Sequence, residues 1–188
     1  MTVRLQGGRV TLRAFHEGEF EVLWREESRD RGPHEEPWPA EAKGFLQARL
    51  EASGEWRNGT SLLLAVEADG ALVGDVQARR SDEVFPPGLF ELGIGLFAGA
   101  RGKGYGTDVL RVLARYLFDE EQAGRVQLGT DAGNVAMCRA AEKAGFTREG
   151  VMRGYWPAKG DTPSRHFALY GVTRADHEDG KTGWTSTS

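Results

Sequence analysis

The residues Arg101-Gly102-Lys103-Gly104-Tyr105-Gly106 bring three glycines and two cations together between two regular segments. Before them, Leu89 to Phe97 reads as a mostly apolar strand. After them, Gly104 to about Asp119 reads as a helix with Val109, Val112, Leu113, Tyr116 and Leu117 on one face. At the start of such a helix the unpaired N–H groups converge with the positive end of the helix dipole, which stabilises a phosphate. Glycine lets an oxygen come close to that backbone. Arg101 and Lys103 add positive charge at the same corner, or are solvated surface residues. Two phosphate motifs fail at single positions. A P-loop needs Ser or Thr after the lysine, but Gly104 follows Lys103, and Phe97 stands where its leading glycine belongs. A dinucleotide fingerprint needs a third glycine where Thr107 stands, which argues against a nicotinamide oxidoreductase.

The remaining chemistry-bearing residues exclude several classes. His16, His34, His166 and His177 form no pair at helical metal spacing, and the single cysteine, Cys138, rules out a disulfide framework or a cysteine-rich metal site. No metal is expected, and a lone cysteine suits a reducing compartment. The 24 basic and 28 acidic residues are interspersed and give a net charge of −4, so no basic stripe exists for nucleic acid. No apolar run approaches the ~18 residues of a membrane span, and the N-terminus lacks a secretory pattern. The expectation is a cytoplasmic chain with neither a membrane nor a nucleic-acid partner.

The elements that must position the turn follow from periodicity. Arg9 to Phe15 alternates as a half-buried strand. Phe20, Leu23 and Trp24 mark one face of a helix from Glu17 to about Arg29, and Phe45, Leu46 and Leu50 mark a second from about Ala40 to Ala52. The proline-rich stretch from Asp30 to Pro39 reads as a loop. Leu62 to Val66 and Ala71 to Val76 flank Asp69-Gly70, a pair suited to a tight hairpin. Arg125 to Thr130 is a strand that follows the Gly104 helix, so strand, helix and strand form a parallel crossover. A last helix runs from about Asn134 to Ala144, ended by Gly145, and strands around Thr147 to Gly154 and Ser164 to Val172 close the sheet. The predicted fold class is α/β (α+β), with one domain over residues 1–174, a mixed twisted sheet of six to seven strands flanked by helices, and an unstructured polar tail over 175–188.

Arg101, Gly104 and Gly106 match the Arg/Gln-x-x-Gly-x-Gly/Ala signature of the GNAT acetyltransferase superfamily. Asp131 to Ala136, Glu142-Lys143-Ala144-Gly145-Phe146 and Glu149-Gly150-Val151 are similar to its ribosomal-protein N-terminal acetyltransferase branch, of RimJ/RimL type. Leu12-Arg13 and the Asp69-Gly70 hairpin extend the likeness more loosely to the front half. The resemblance implies acetyl-CoA as acyl donor. Its pantetheine arm would lie along Leu89 to Phe97 on backbone groups near Leu96, Phe97 and Ala98. The pyrophosphate would sit on Arg101, Gly102, Lys103, Gly104, Tyr105, Gly106 and Thr107, and Asn134 near the reacting end. Asn134 reads equally as a helix N-cap.

Direct transfer to an amine needs a proton acceptor, an oxyanion donor and a proton for the thiolate, and no covalent nucleophile. By resemblance the oxyanion donor is a backbone N–H of the Phe97 region. Glu91 is the candidate base, against a reading as a solvent-facing strand carboxylate. Asp131 is a second candidate, against a turn role. The family's usual acids are replaced here by Met137 and Ala141. Cys138 is out of register by roughly 100° of helix, and only residue type recommends Tyr155 or Tyr170. Acceptor specificity falls to Trp24 through Trp56, Ser81 to Gly88 and Gly154 to Ser164, where Trp24, Trp38, Trp56 and Trp156 with carboxylates suit a cationic amine, and each singly suits ordinary core or surface as well. The implied activity is N-acetylation of a protein N-terminus or small amine. A non-catalytic acetyl-CoA-binding module and an aminoglycoside or polyamine acetyltransferase stand as alternatives. A homodimer is compatible with the resemblance.

Overall fold

The computed structural model describes residues 2–30, 39–80, 86–160 and 162–184. Thus Trp38, most of the proline-rich loop and positions 81–85 of the expected acceptor loop lie outside the described residues.

The elements run β1 (Leu5–Gln6), β2 (Thr11–Arg13), α1 (Glu19–Asp30), α2 (Ala40–Glu51), β3 (Ser61–Ala68), β4 (Ala71–Arg79) and β5 (Leu89–Leu96). A 3-10 turn (Ala98–Ala100) follows, then α3 (Tyr105–Asp119), β6 (Arg125–Asp131), α4 (Val135–Lys143), β7 (Thr147–Trp156), β8 (Arg165–Thr173) and α5 (Arg174–Glu178). One mixed sheet of eight strands has the order β1-β2-β3-β4-β5-β6-β8-β7. The expected count is exceeded by β1, a two-residue strand paired with β2 and too short to leave a period-2 pattern. Only β5 and β6 are parallel, joined by the α3 crossover.

The even residues of β5 face α3, with Phe90 fully buried and Leu92 nearly so. They pack with Val109, Leu110, Leu113, Leu117 and Phe118 of α3 and with Val126 and Leu128 of β6. At about 1.5–3 kcal/mol for each large side chain removed from water, this layer is the main store of stability and holds α3 rigidly on the sheet. The opposite face carries a smaller cluster of Leu23, Leu50 and Leu63 with Phe15, Phe20, Leu46 and Phe97, which seats α1 and α2.

That second layer changes the reading of β2. Alternation placed Arg13 on a solvent face, but Thr11, Leu12 and Arg13 are all buried because both faces are covered. Arg13 Nη2 reaches Glu19 Oε1 at 2.7 Å and Nε reaches Glu67 Oε2 at 2.6 Å, so the first turn of α1 is bolted to β2 and β3. Burial opposes ionisation of Glu19. The bonds from Arg13 and from the His16 amide outweigh it and hold the carboxyl below its usual value.

The tail also departs from expectation. Thr173 and Asp176 form a capping box that starts α5, and the chain then returns over the core. Trp184 Nε1 donates to the Ala144 carbonyl at 2.7 Å, and its ring sits 6.2 Å from Phe118 and 6.4 Å from Phe146. Gly145 admits this crossing, because a Cβ there would stand 2.9 Å from the Thr182 carbonyl oxygen. The polar composition concealed the anchor, a single aromatic. Trp184→Ala is expected to lower unfolding free energy by about 2–3 kcal/mol, at or below the ~3 kcal/mol low end of buried aromatic truncation because the ring is partly exposed, measured by urea denaturation.

Candidate functional site

The site begins where two strands part. β5 pairs with β4 along its length, from Arg79↔Glu91 to Gly74↔Leu96, but with β6 only at Leu89↔Arg125, Phe90↔Val126 and Glu91↔Gln127. Beyond Glu91 the parallel pair opens into a fork. The Phe97 N–H donates to the Val73 carbonyl at 2.9 Å, which fixes the phase of the antiparallel ladder. Odd residues of β5 direct their polar backbone groups at β4, and Leu92, Ile94 and Leu96 direct theirs into the fork. The expected donor therefore narrows: the Phe97 amide is already committed to β4, and the amides that open into the fork belong to Leu96 and its even neighbours. Ala98 opens the 3-10 turn, whose carbonyl accepts from Arg101 N at 3.3 Å.

The turn leads into the glycine-rich segment. Gly102 and Gly104 have φ of 76° and 84°, the left-handed region that glycine enters freely, and Gly104 is the N-cap of α3 without any side-chain cap bond. Among the described residues, no acceptor is found for the backbone N–H groups from Gly102 to Thr107. A Cβ at Gly102 would meet nothing within 4 Å, so the cradle is open. At Gly106 a Cβ would make only ordinary contact, 3.7 Å from Leu96 Cδ1 and 3.8 Å from Ala140 Cβ, so α3 starts beside both β5 and α4.

The side chains of this segment divide differently from expectation. Arg101 does not aim into the cradle. Its guanidinium pairs with Asp30 at the end of α1 and its Nε donates to the Leu96 carbonyl at 3.0 Å, so it fastens α1 to the open end of β5. Tyr105 is buried and its hydroxyl donates to Asp69 at 2.8 Å, tying α3 to the β3–β4 hairpin. Thr107 Oγ1 reaches the Ala140 carbonyl at 3.5 Å. Positive charge comes from elsewhere: Arg9, Lys103, Arg111 and Lys143 line a cleft of about 840 Å³ beside Gly102, Gly104 and Thr107. Arg9 Nη1 donates to the Lys103 carbonyl at 2.9 Å, and Asp108 holds the Arg9 amide at 2.6 Å. Arg9 and Arg111 lie far apart from each other in sequence, and no local pattern marked them.

At the far side of the fork Asn134 caps α4, its Oδ1 accepting from the Met137 amide at 3.1 Å. The cap uses only the oxygen, so the amide nitrogen is left as a donor. Asp131 closes an Asx turn on the Gly133 amide at 2.8 Å, which is the turn role. Tyr170 is core, bonded to Glu142 Oε1 at 3.2 Å, and its phenol is pushed upward by burial and by neighbouring Cys138 and Glu142. Tyr155 is half exposed and stacks on Phe167 at 4.6 Å.

The odd-numbered face of β5 looks toward α1 and α2. Glu91 lies there at the closed end of the fork, its Oε1 held by Arg79 at 2.6 Å. Two glycines follow it. A Cβ at Gly93 would stand 2.8 Å from Gln77 Nε2, and one at Gly95 would stand 2.8 Å from Asp75 Oδ1, so two β4 side chains lean across the opened strand. Gln77 is held by Arg49 Nη2 of α2 at 2.9 Å. Asp75 belongs to no motif, since local pattern marks it only as a residue of a hairpin strand. The available signal was an Asp amid Val73-Gly74 and Val76, a residue type depleted from strands, opposite a Gly-x-Gly strand. Among the described residues no group of histidine, cysteine and carboxylate side chains is arranged to hold a metal, and no helix is long and apolar enough to cross a membrane.

Comparison with known proteins meets this geometry. The Acetyltransferase (GNAT) domain family matches residues 9–147. The Bacillus subtilis protein named "Probable N-acetyltransferase YjcK" is 31% identical over 109 residues, 57% of this chain and just over half, 56%, of that relative. Among solved structures, Mycobacterium smegmatis RimJ in complex with CoA-disulfide superposes with a TM-score of 0.75 at 18% identity, over 97% of this chain and 91% of that one. The GNAT-family acetyltransferase from Bacillus anthracis gives 0.73 at 19% identity, over 92% and 99%. The family match spans the fork, the cradle and the start of the chain that supplies Arg9, and the chain belongs to the GNAT acetyltransferase domain family.

Proposed function

We propose that this protein moves an acetyl group from acetyl-CoA directly to a primary amine. The observation that carries this reading is a continuous polar edge: inside the fork β5 offers backbone groups with no strand beside them, the Leu96 carbonyl being taken by Arg101, and it runs on into the unpaired N–H groups of the cradle. An extended arm ending in a pyrophosphate fits both, the arm as a substitute strand and the phosphates on the helix start. The basic cleft of Arg9, Lys103, Arg111 and Lys143 suits the further negative charge of a CoA nucleotide. Bound there, acetyl-CoA supplies an activated acyl group.

The chain's own groups then have separable tasks. Gly102 to Thr107 hold phosphate through their backbone N–H groups. The Leu92, Ile94 and Leu96 amides keep the arm straight and polarise a carbonyl in the fork, where they need no reorganisation. Asn134 contributes its free amide from the opposite strand end. Glu91 is one carboxylate on the acceptor face able to receive an amine proton. A protein N-terminus is the acceptor that the RimJ-type resemblance favours; small amines, including aminoglycosides and polyamines, are the other class. A homodimer and a cytoplasmic setting belong to the same proposal.

Titration calorimetry with acetyl-CoA tests the cofactor assignment. Gly104→Asp places a carboxylate in the cradle at a positive φ, and binding is expected to fall at least about 100-fold, the scale of losing charge-assisted bonds while adding repulsion. Lys103→Ala together with Arg111→Ala is expected to weaken binding about tenfold, with a smaller effect at high salt because exposed charges are screened. Asn134→Ala removes a cap and is expected to cost about 1 kcal/mol of stability and to reduce turnover beyond that loss. Binding without release of CoA to any amine would make the protein a non-catalytic acetyl-CoA module, and no binding at all would leave the turn as a helix entry only.

A further inference from the structure

We infer that Asp75, not Glu91, is the group that takes the proton from the acceptor ammonium, an inference that rests on the transferase reading above. Asp75 sits in β4 opposite Gly95, one residue from Leu96, within the segment where β5 has left β6. The missing side chain at Gly95 lets the carboxylate lie over the β5 backbone, with Oδ1 where a Cβ would almost touch it. Its side chain thus overhangs the strand whose other edge opens into the fork.

The surroundings of the two carboxylates differ. Glu91 belongs to the part of β5 still paired on both sides, and Arg79 occupies one of its oxygens. It is four residues from Gly95, roughly 13 Å along the strand. Asp75 is enclosed by protein yet keeps an opening to solvent, and among the described residues its only hydrogen-bond donor is its own backbone amide. The charged groups facing it are Glu27 from α1 and Arg49 from α2, and Arg49 is engaged by Gln77. A carboxylate so placed attracts a cation from the α1–α2 side, and Arg49 acts on it through its charge alone, its guanidinium bonding Gln77 instead. Burial, then repulsion from Glu27, raises its pKa from 3.8 to about 7, against the weaker pull of Arg49. A base in that range removes a proton from an α-amine, with its pKa near about 8, far better than an ordinary carboxylate does.

The step balances without a further reactant. The ammonium gives a proton to Asp75, and the freed nitrogen lone pair bonds to the thioester carbonyl carbon. The carbon–sulfur bond breaks with its electrons going to sulfur, the nitrogen's surplus proton neutralises the thiolate, and Asp75 returns its proton to water. The amide product and free CoA thiol account for every atom.

The test measures CoA release from acetyl-CoA with an alanine-initiated peptide, spermidine and kanamycin, for wild type, Asp75→Asn and Glu91→Gln, from pH 6 to 9. For whichever amine is acetylated, kcat/KM of wild type should rise to a plateau above about pH 7. Asp75→Asn should lose at least about 100-fold at the plateau, within the range for an acid–base group, and should lose that pH limb while binding acetyl-CoA with unchanged affinity. Glu91→Gln should keep the limb. A second readout follows from linkage. The folded-state pKa is raised, so the contribution of this group to stability is full below 3.8 and is lost as pH rises to about 7. The Tm of Asp75→Asn should therefore exceed that of wild type above pH 7 and match it near pH 4. Retention of rate and pH limb by Asp75→Asn overturns the assignment, and a loss confined to Glu91→Gln transfers it to Glu91. If wild type binds acetyl-CoA but releases no CoA with any of the amines, the transferase reading falls and this inference falls with it.

Discussion

Backbone polar groups removed from water must find partners, and this constraint governs the molecule at the fork. A parallel pair normally continues as far as its strands run. Here it stops after Glu91 and Gln127, while β4 continues to hold β5 straight as far as Leu96. One edge of β5 is thereby kept in strand geometry with no strand beside it. A bare edge invites pairing with another chain, but this one faces the diverging β6, with α3 packed on the same strand. An extended small molecule can complete it where a second protein cannot reach. The cradle solves the same problem at the helix end, where the first N–H groups of α3 have no acceptor. Fork and cradle are two consequences of one unmet requirement, joined by the short turn from Phe97 to Arg101.

Keeping the fork open requires that α1 and α2 stay on their face of the sheet, and two arginines hold α1 at its ends. Arg13 fixes its first turn through Glu19, and Arg101 fixes its last residue, Asp30, to the end of β5. The first pair is nearly dry and carries more of the burden; the second is half exposed and is worth less in isolation. Arg101 also spans the carbonyl of Leu96. The signature arginine is thus a structural tie at the mouth of the site, and the positive charge beside the cradle comes from the cleft of Arg9, Lys103, Arg111 and Lys143.

Local pattern read well wherever one residue's environment depended on its near neighbours. The α3 face, the Asp69-Gly70 hairpin, the Asn134 cap and the end of α4 at Gly145 each rest on interactions within a few residues, and periodicity or turn chemistry recorded them. The misses share the opposite property. Arg13 is buried because α1 and α2 return over β2, Trp184 is ordered because the chain comes back to Ala144, and Arg9 lines the cleft through contacts with Lys103 and Asp108. Asp75 depends on the absence of a side chain across the ladder at Gly95. Such pairings are properties of register, and register is set by the whole sheet.

The absent acid bears on how the chemistry is divided. Met137 and Ala141 stand where a hydroxyl would be expected, and the nearby phenol of Tyr170 is committed to Glu142 and held protonated by burial. A thiol is far more acidic than an alcohol or water, at about 8.5 for cysteine, so a thiolate leaves without full protonation in the transition state. The attacking nitrogen, by contrast, arrives as an ammonium and is inert until deprotonated. A site that economises on the acid loses little, whereas one without a matched base fails at neutral pH. That asymmetry fits a chain that has apolar residues at both acid positions of α4 and places an enclosed carboxylate over the glycine of β5.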